Sequence, residues 1–265
     1  MIKPSAISPE AKAYIHQKLT TLATEENVRI LFAIESGSRA WGFPSADSDY
    51  DVRFVYVRSQ DDYLSVRGRR DVVETPLEND QHLGVPLDLN GWDVRKALKL
   101  ALSSNPVLHE WLVSPIRYMA DEDAVDQMGQ FTTTWINRDV LRYHYDRLAR
   151  AAWEQIETDP IHVKVKRYCY ALRPALMLRW LSRHDRLPPM DVASLCADID
   201  ENLNIALTQL FDIKFTCGEG DLIARQPLLD DLIKDLLANK APRPPLIDIA
   251  PDVVASADRL FRGLI

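Results

Sequence analysis

The chain has 265 residues and a mass of 30.3 kDa, a length that suggests one large domain or two small ones. Its net charge is −7 and its isoelectric point is near 5.4, which excludes a uniformly basic coat protein for nucleic acid. Hydrophobic residues make up 46% of the chain and charged residues 27%, so extensive disorder is excluded as well.

Charge is distributed unevenly along the chain. Residues 44–93 include 11 acidic and 5 basic residues, whereas residues 138–186 include 6 acidic and 11 basic residues. This asymmetry indicates either a cation site in the first segment and an anion site in the second, or two solvated faces of opposite sign.

The three cysteines, Cys169, Cys196 and Cys217, lack CxxC spacing, which favours a reducing cytoplasm over a disulfide framework or a zinc site. The first residues contain no apolar signal-peptide core, and no run of about 18 apolar residues suggests a membrane span. We therefore expect a cytoplasmic protein that has no membrane partner.

The first half of the chain mixes helix and strand signals. Ser8, followed by proline and glutamate, predicts the start of a helix that continues to about Ala23. Short apolar or alternating runs bounded by turn residues then predict strands. The predicted strands are residues 28–35, 50–57, 71–74 and 85–90.

After Asp93 the apolar residues recur with the 3.6-residue period of amphipathic helices, and from about Asp121 onward only helical signals remain. The predicted fold class is α+β, with an N-terminal mixed-sheet domain followed by a C-terminal helical domain. We place these domains at residues 1–115 and 116–265, with the boundary inside the interval from Asn90 to Asp121.

A glycine-serine turn after the first predicted strand is the candidate phosphate site. Gly37 and Gly42 have the spacing of a Walker A loop, but Phe43 and Pro44 replace its lysine and hydroxyl residue. A dinucleotide-binding fingerprint is excluded because arginine replaces its second glycine. The backbone N–H groups of the Gly37-Ser38 turn, at the start of a short helix, still suit phosphate oxygens.

Asp49 and Asp51 are the candidate metal ligands. Residues two apart on a strand share a face, so the two carboxylates point the same way. Two like charges this close are costly unless a cation joins them, and Mg²⁺ typically uses one or two carboxylates together with substrate phosphates.

Asp88 is the candidate third carboxylate, because an unpartnered acid in the middle of a strand would be expensive. Three carboxylates can hold two metal ions about 3.5–4 Å apart. Asp93 is the alternative third acid, and we interpret it instead as a helix N-cap.

This arrangement resembles the DNA polymerase β-type nucleotidyltransferase superfamily. That family's pattern is a Gly-Ser or Gly-Gly turn, then Asp-apolar-Asp-apolar on a strand, then a third acid on a later strand. The chain shows Gly37-Ser38, Asp49-Tyr50-Asp51-Val52 and Leu87-Asp88-Leu89.

The likeness is closer to one subgroup, the RNA-ligase-associated (RlaP or YcgL-like) predicted nucleotidyltransferases. It extends roughly over residues 29–190 and includes the stretch GSRAWGFPSADSDYDVRFVY and the segment 166–174. The resemblance implies a polymerase β palm-like domain, Mg²⁺ or Mn²⁺ as cofactor, a nucleoside triphosphate as substrate, expected to be ATP, and a place in RNA repair.

Further residues are expected to bind the nucleotide or the acceptor. Ser38 and Arg39 are expected to contact phosphate. Lys166, Tyr170 and Arg173 are spaced i, i+4 and i+7, so one helix face carries them, and it suits a triphosphate or an RNA backbone. The alternative for that face is a solvated surface.

Three other interpretations concern the same helices. Val165, Cys169, Leu172 and Leu176 are predicted to form the core-facing stripe of the helix that carries Lys166. Pro174 is expected to kink or end that helix, because it removes a backbone donor. Lys96 and Lys99 are considered as further cations near the carboxylates.

Two functional hypotheses follow. The first is a metal-dependent nucleotidyltransferase in which Asp49, Asp51 and Asp88 bind metal and act in catalysis, moving a nucleotide from the triphosphate to a hydroxyl of RNA, protein or a small molecule. The alternative is a non-catalytic module of the same fold that binds nucleotide or RNA, or neutralises a toxin. The presence of all three acids favours the enzyme.

Overall fold

The computed structural model describes residues 7–218, 220–245 and 248–265, and it confirms the α+β class. The first elements in chain order are α1 (Pro9–Glu25), β1 (Arg29–Glu35), α2 (Gly37–Trp41), β2 (Tyr50–Val57), α3 (Gln60–Leu64), β3 (Val72–Glu74), β4 (Glu78–Asn79), β5 (Pro86–Asp93), α4 (Val94–Leu102), α5 (Val107–Leu112), β6 (Arg117–Ala120) and α6 (Glu122–Trp135). The following elements are α7 (Arg138–Glu157), β7 (His162–Lys164), α8 (Val165–Arg183), α9 (Val192–Leu195), α10 (Glu201–Thr216), β8 (Leu222–Ala224), α11 (Pro227–Leu237) and α12 (Pro251–Leu264).

The described residues form two compact units, each made of separate stretches of chain. The sheet unit contains residues 7–37, 49–136 and 248–265, and the helical unit contains residues 38–48, 137–218 and 220–245. This division differs from the predicted boundary between residues 115 and 116. The reason is that β6 pairs with β1, and that α6 and α12 pack on elements of the sheet unit.

The sheet unit is built on a mixed sheet, as predicted. Its strand order is β3-β5-β2-β1-β6, with β4 also paired to β5. β2 and β5 run parallel, in a register that sets Asp51 opposite Asp88 and Tyr56 opposite Asp93. The other neighbouring pairs described are antiparallel. Because β2 and β5 run in the same direction, their first residues lie at one end of the sheet and their last residues at the other.

All four predicted strands are present, and β4 and β6 are additional strands of the sheet. β5 continues to Asp93, three residues beyond the predicted end. The four-residue strand β6 buries only Tyr118, so its sequence carries little of the alternation that marks a strand.

Both faces of the sheet are covered by helices. Ile15 and Leu19 of α1 pack with Phe54 on one face, and α4, α6 and α12 cover the other. The side chain of Ser8 accepts a hydrogen bond from the Ala11 amide at 3.1 Å, which confirms the predicted start of α1.

The helical unit contains α7 to α11 and a two-stranded ribbon of β7 and β8. The prediction that only helices follow Asp121 is therefore wrong, since three-residue strands are too short to show a period of two. α8 continues through Pro174 to Arg183, so of the two expected effects of this proline, a kink or an end, the end of the helix does not occur. In the described part of the chain, no helix has the length and apolar character needed to cross a membrane.

Candidate functional site

Asp51 and Asp88 lie side by side on the parallel strands β2 and β5. Their side chains are 21% and 27% exposed, so solvent reaches both carboxylates. Asp49 is half-buried one residue before β2 begins. The sheet thus brings two of the three predicted acids into register and holds the third two residues from Asp51.

Arg53 joins the two carboxylates, and our sequence analysis missed it. Its Nη2 atom lies 2.9 Å from Asp51 Oδ1 and 2.7 Å from Asp88 Oδ2. Its Nη1 atom donates to the carbonyl oxygens of Val52 and Asp88 at 3.1 and 3.2 Å. One guanidinium therefore supplies the positive charge that the close carboxylates require. The signal for it was its spacing, two residues beyond Asp51 on the same alternating face.

Gly37 fits closely against Asp51. Its φ is +59°, and a Cβ atom at this position would lie 1.8 Å from Asp51 Oδ2. The backbone N–H of Ser36 donates to the Asp51 carbonyl oxygen at 2.8 Å. Both the backbone conformation and the space require glycine here. The turn predicted to bind phosphate thus touches a carboxylate predicted to bind metal.

Glu35 is a second residue that our sequence analysis missed. It is fully buried at the end of β1, where its Oε1 atom accepts a hydrogen bond from the Asp51 backbone N–H at 3.0 Å. Its Oε2 atom accepts a hydrogen bond from the Tyr118 hydroxyl at 2.7 Å. These bonds compensate for removing a carboxyl group from water and fix the backbone that carries Asp51. Its signal was a glutamate closing the apolar run RILFAIE.

The oxygen donors at this end of the sheet fit a hard divalent cation. Carboxylates are preferred ligands of Mg²⁺ and Mn²⁺, and here two lie in register with a third nearby. In the arrangement seen, Arg53 holds the pair, and no cluster of three or more histidine, cysteine or acidic side chains suited to a metal occurs among the described residues.

Ser38 and Arg39, the other predicted phosphate ligands, belong to the helical unit. The Ser38 hydroxyl donates to Ser48 Oγ at 3.1 Å, and Arg39 Nη2 donates to the Ser48 carbonyl oxygen at 2.6 Å. Ser48 Oγ also accepts from the Ser45 backbone N–H at 2.9 Å. In this structure both residues hold the loop that leads into β2.

Lys214 supports the same loop from α10. It is only 2% exposed, and its Nζ atom donates to Ser45 Oγ at 2.7 Å. Leu207, Leu210 and Phe211 are buried with it. A lysine in the apolar stripe i, i+3, i+4, i+7 was the signal, which our sequence analysis did not use.

Lys166, Tyr170 and Arg173 occur together on α8. Lys166 Nζ lies 5.6 Å from the Tyr170 ring centroid, and the Trp41 ring lies 5.4 Å from the Tyr170 ring. Arg173 Cζ lies 4.4 Å from the centre of Trp41, and its Nε donates to the Met190 carbonyl oxygen at 3.2 Å.

The three residues on α8 differ in how much of each is exposed to solvent. Tyr170 is 41% exposed, whereas Arg173 is only 7% exposed, so the alternative of a solvated face is wrong for Arg173. The predicted core-facing stripe is confirmed, and its members are Val165, Cys169, Leu172 and Leu176.

Asp93 is the N-cap of α4, as interpreted from the sequence. Its Oδ1 atom accepts from the Arg95 backbone N–H at 2.8 Å, and its Oδ2 atom accepts from the Tyr63 hydroxyl at 3.0 Å. Asp93 lies five residues beyond Asp88, about 16 Å along the strand direction, and Lys96 and Lys99 follow it on α4 and line a cavity together with it. The expectation that these lysines lie near the carboxylates is therefore wrong.

Comparisons with known proteins agree with the motif. The RlaP family model, described as RNA repair pathway DNA polymerase beta family, matches residues 11–263. A Bacillus subtilis (strain 168) protein named "Uncharacterized protein YcgL" is 37% identical over 225 residues, 84% of either chain. The crystal structure of a nucleotidyltransferase-like protein from Exiguobacterium sibiricum 255-15 aligns with 94% of this chain and 75% of its own chain, at 11% sequence identity and a TM-score of 0.31. The first two matches confirm the predicted resemblance.

Proposed function

Because this chain belongs to the RNA repair pathway DNA polymerase beta family, we propose that it is a metal-dependent nucleotidyltransferase. An acceptor hydroxyl forms a bond to the α-phosphorus of a nucleoside triphosphate, the bond from that phosphorus to the bridging oxygen breaks, and pyrophosphate leaves. The observation that carries the proposal is the Asp51–Asp88 pair in register on parallel strands, with Gly37 packed against Asp51.

The carboxylates have distinct roles in this proposal. Asp49 and Asp51 would hold Mg²⁺ or Mn²⁺ together with the triphosphate, and Asp88 would complete a second metal site or accept the proton of the acceptor hydroxyl. When bound, the metal would neutralise charge on the phosphate oxygens and help align the entering and leaving oxygens. The Glu35 carboxylate holds the backbone of Asp51 in place by accepting a hydrogen bond from its N–H group.

In this proposal the Arg53 guanidinium must leave the Asp51 and Asp88 carboxylates before a metal ion binds. Its guanidinium occupies the carboxylate oxygens Oδ1 of Asp51 and Oδ2 of Asp88 that would face a cation. Loading of the site therefore exchanges one monovalent cationic group for a divalent ion. We propose that the released Arg53 contacts a phosphate oxygen of the nucleotide.

The remaining predicted residues are assigned to the substrates. The backbone N–H groups of Gly37 and Ser38 would bind phosphate oxygens, with Arg39 as a further phosphate contact. Lys166, Tyr170 and Arg173 would contact the triphosphate or the acceptor. We propose ATP as the nucleotide and an RNA end as the acceptor, on the basis of the family description.

The test is transfer of label. The full chain is incubated with each α-labelled nucleoside triphosphate, Mg²⁺ or Mn²⁺, and a pool of cellular RNA and protein. The Asp51→Asn variant is the inactive form, and Asp61→Asn is the matched control, because Asp61 is an exposed acid of the same unit on α3. We expect label in RNA, most strongly from ATP, to fall about 10³-fold in Asp51→Asn and to be unchanged in Asp61→Asn.

Two results would contradict the proposal. One is transfer that is equal in the wild-type protein and in Asp51→Asn. The other is nucleotide binding that needs no divalent metal and leads to no transfer, which would indicate the non-catalytic module instead.

A further inference from the structure

A cavity of the sheet unit lies at the opposite end of β2 and β5 from the carboxylates. Its volume is about 340 Å³. It begins just beyond the last residue of β2 and includes the first turn and a half of α4. We call it the basic pocket, because six of its lining residues are Arg58, Arg69, Arg70, Arg95, Lys96 and Lys99.

The three acids that line the basic pocket are each engaged within it. Asp62 Oδ1 lies 2.8 Å from Arg69 Nε, and Asp71 Oδ1 lies 3.3 Å from Lys96 Nζ. Asp93 is only 5% exposed and caps α4. The lining contains six bases and three acids, and two further acids pair with its bases: Glu26 lies 3.5 Å from Arg58 and Glu74 lies 2.5 Å from Arg70. When these two acids are included, one positive charge remains in excess.

Two of these bases lie at the N-terminal end of α4. Apart from the N-cap Asp93, α4 has no acid at that end, and it places Arg95 and Lys96 in its first turn, whereas Lys99 lies in its last turn. The N-terminal end of a helix carries partial positive charge, so cations there are unfavourable by a few tenths of a kcal/mol or more. An anion bound in the pocket would be attracted both by the side chains and by the helix end.

Arg58 forms part of the wall as a buried cation. It is 8% exposed, and its Nη1 atom donates to the Glu26 carbonyl oxygen at 2.9 Å. Its Nε atom is buried without a hydrogen-bond partner in the described structure. A buried guanidinium that is incompletely hydrogen-bonded is costly, and a neighbouring anion would reduce that cost.

The aromatic residue of the pocket is not placed for stacking on a base. Tyr63 lines the pocket, but the Arg95 guanidinium lies over its ring at 4.8 Å. Phe261 packs against the same ring, with centroids 5.1 Å apart. The pocket therefore offers charge without a stacking surface, which favours phosphate groups over the bases of a ligand.

We propose that the basic pocket binds the phosphodiester backbone of an RNA strand, and this assignment rests on the proposed function, in which RNA is the acceptor. Arg58 lies seven residues beyond Asp51, which is about 23 Å along β2. The pocket would hold the acceptor away from its reacting hydroxyl, and no bond is made or broken there.

The test compares two double variants of the full chain. Lys96→Gln/Lys99→Gln removes two pocket charges, and Lys12→Gln/Lys18→Gln removes two charges from α1 of the same unit. The two are matched, because Lys96 pairs with Asp71 at 3.3 Å and Lys18 pairs with Asp80 at 3.9 Å. Arg70→Gln is a third variant at a side chain that is 70% exposed, where misfolding is not expected.

Binding of a labelled single-stranded RNA of mixed sequence is measured in EDTA without nucleotide, over a series of salt concentrations. We expect the pocket double variant to bind about tenfold more weakly at about 50 mM salt, with the slope of log K against log salt reduced by about 1.4. Arg70→Gln should reduce that slope by about 0.7, whereas the α1 double variant should match the wild-type protein.

Two outcomes would overturn the assignment. In the first, both double variants weaken RNA binding equally. In the second, the pocket variants lose binding of inorganic tripolyphosphate and keep binding of RNA, which would make a free polyphosphate the ligand. Because the assay needs neither metal nor transfer, its result separates this inference from the proposed catalysis.

Discussion

The two ends of the β2–β5 pair carry opposite charge. At the first end, Asp51 and Asp88 share the guanidinium of Arg53. At the other end, the basic pocket surrounds three engaged acids with six bases. Residues 44–93 carry a net charge of −6, yet they supply both the acids of one end and three of the six bases of the other. Because β2 and β5 are parallel, residues at the start of both strands lie at one end of the sheet and residues that follow both strands lie at the other. A net charge summed along the chain hides this separation of acids and bases.

Substitution of glycine should distinguish the two ends most strongly. Gly37→Ala places a Cβ atom against Asp51 and puts alanine at positive φ. We expect about 1–2 kcal/mol lower free energy of unfolding from the backbone alone, and about 100-fold less label transfer, because a displacement of about 1 Å at a reacting group has that effect. Urea unfolding and the transfer assay measure the two quantities.

Gly68→Ala is the control, since Gly68 lines the basic pocket and a Cβ atom there meets nothing within 4 Å. It should leave both quantities close to wild type. Equal effects of the two substitutions would show that the packing of Gly37 against Asp51 has no special importance.

Removal of the Arg53 guanidinium should have the next largest effect. Arg53→Met leaves Asp51 and Asp88 adjacent without their shared partner, which is expected to lower the free energy of unfolding in EDTA by about 1–2 kcal/mol. Mn²⁺ should then raise the Tm of the variant more than that of the wild-type protein, because it no longer competes with a guanidinium.

Arg69→Met is the matched change at the basic end. Arg69 is 61% exposed and pairs with Asp62 alone among the ion pairs described, so its loss should cost no more than about 1 kcal/mol. Thermal unfolding with and without Mn²⁺ checks both variants. Equal Mn²⁺ shifts in Arg53→Met and wild type would contradict exchange of the arginine for a metal.

The smallest expected effect concerns pH at the basic end. Burial raises the pKa of Asp93, and the bonds from the Arg95 N–H and the Tyr63 hydroxyl oppose that shift only in part. A carboxyl pKa above its unfolded value contributes stability at pH values below the unfolded value, about 3.9, and this contribution is lost as the pH rises through the folded value.

Asp93→Asn keeps the helix cap and removes the charge. Relative to wild type it should therefore gain stability between pH 4 and pH 7, as measured by urea unfolding at both values. Asp93→Ala also removes the cap and should cost about 1 kcal/mol at either pH. A wild-type advantage over Asp93→Asn that grows toward pH 7 would be the contrary result.

The strands that carry the candidate acids could be predicted from the sequence, because their signals are local. β2 begins and ends at the predicted residues, and the Ser8 and Asp93 caps depend on neighbours within three residues. The Gly37-Ser38 turn and the two aspartates came from spacing along one short stretch. The prediction of Asp88 as the third acid required only the assumption that its strand lies beside β2.

The residues that were missed depend on contacts that spacing does not encode. Arg53 bridges to a strand 35 residues away, and Glu35 hydrogen-bonds to Tyr118, 83 residues away. Lys214 reaches Ser45 across 169 residues. Lys96 and Lys99 were predicted at the wrong end of β5. The sequence shows that they follow Asp88, but it does not show that the strand continues to Asp93 before α4 begins.

The position of α12 in the sheet unit has a consequence for how the protein is made. The strands that carry the acids are synthesised by residue 93, but Arg29 Nη2 donates to the carbonyl oxygen of Leu264 at 2.6 Å, and α12 packs on α4 and α6. About 110 residues separate α6 from the segment that contains α12, which takes about 5–22 s of translation. Until then the nascent chain lacks the helix that covers α4 and α6, so the sheet unit completes its apolar core only after the helical unit has been synthesised.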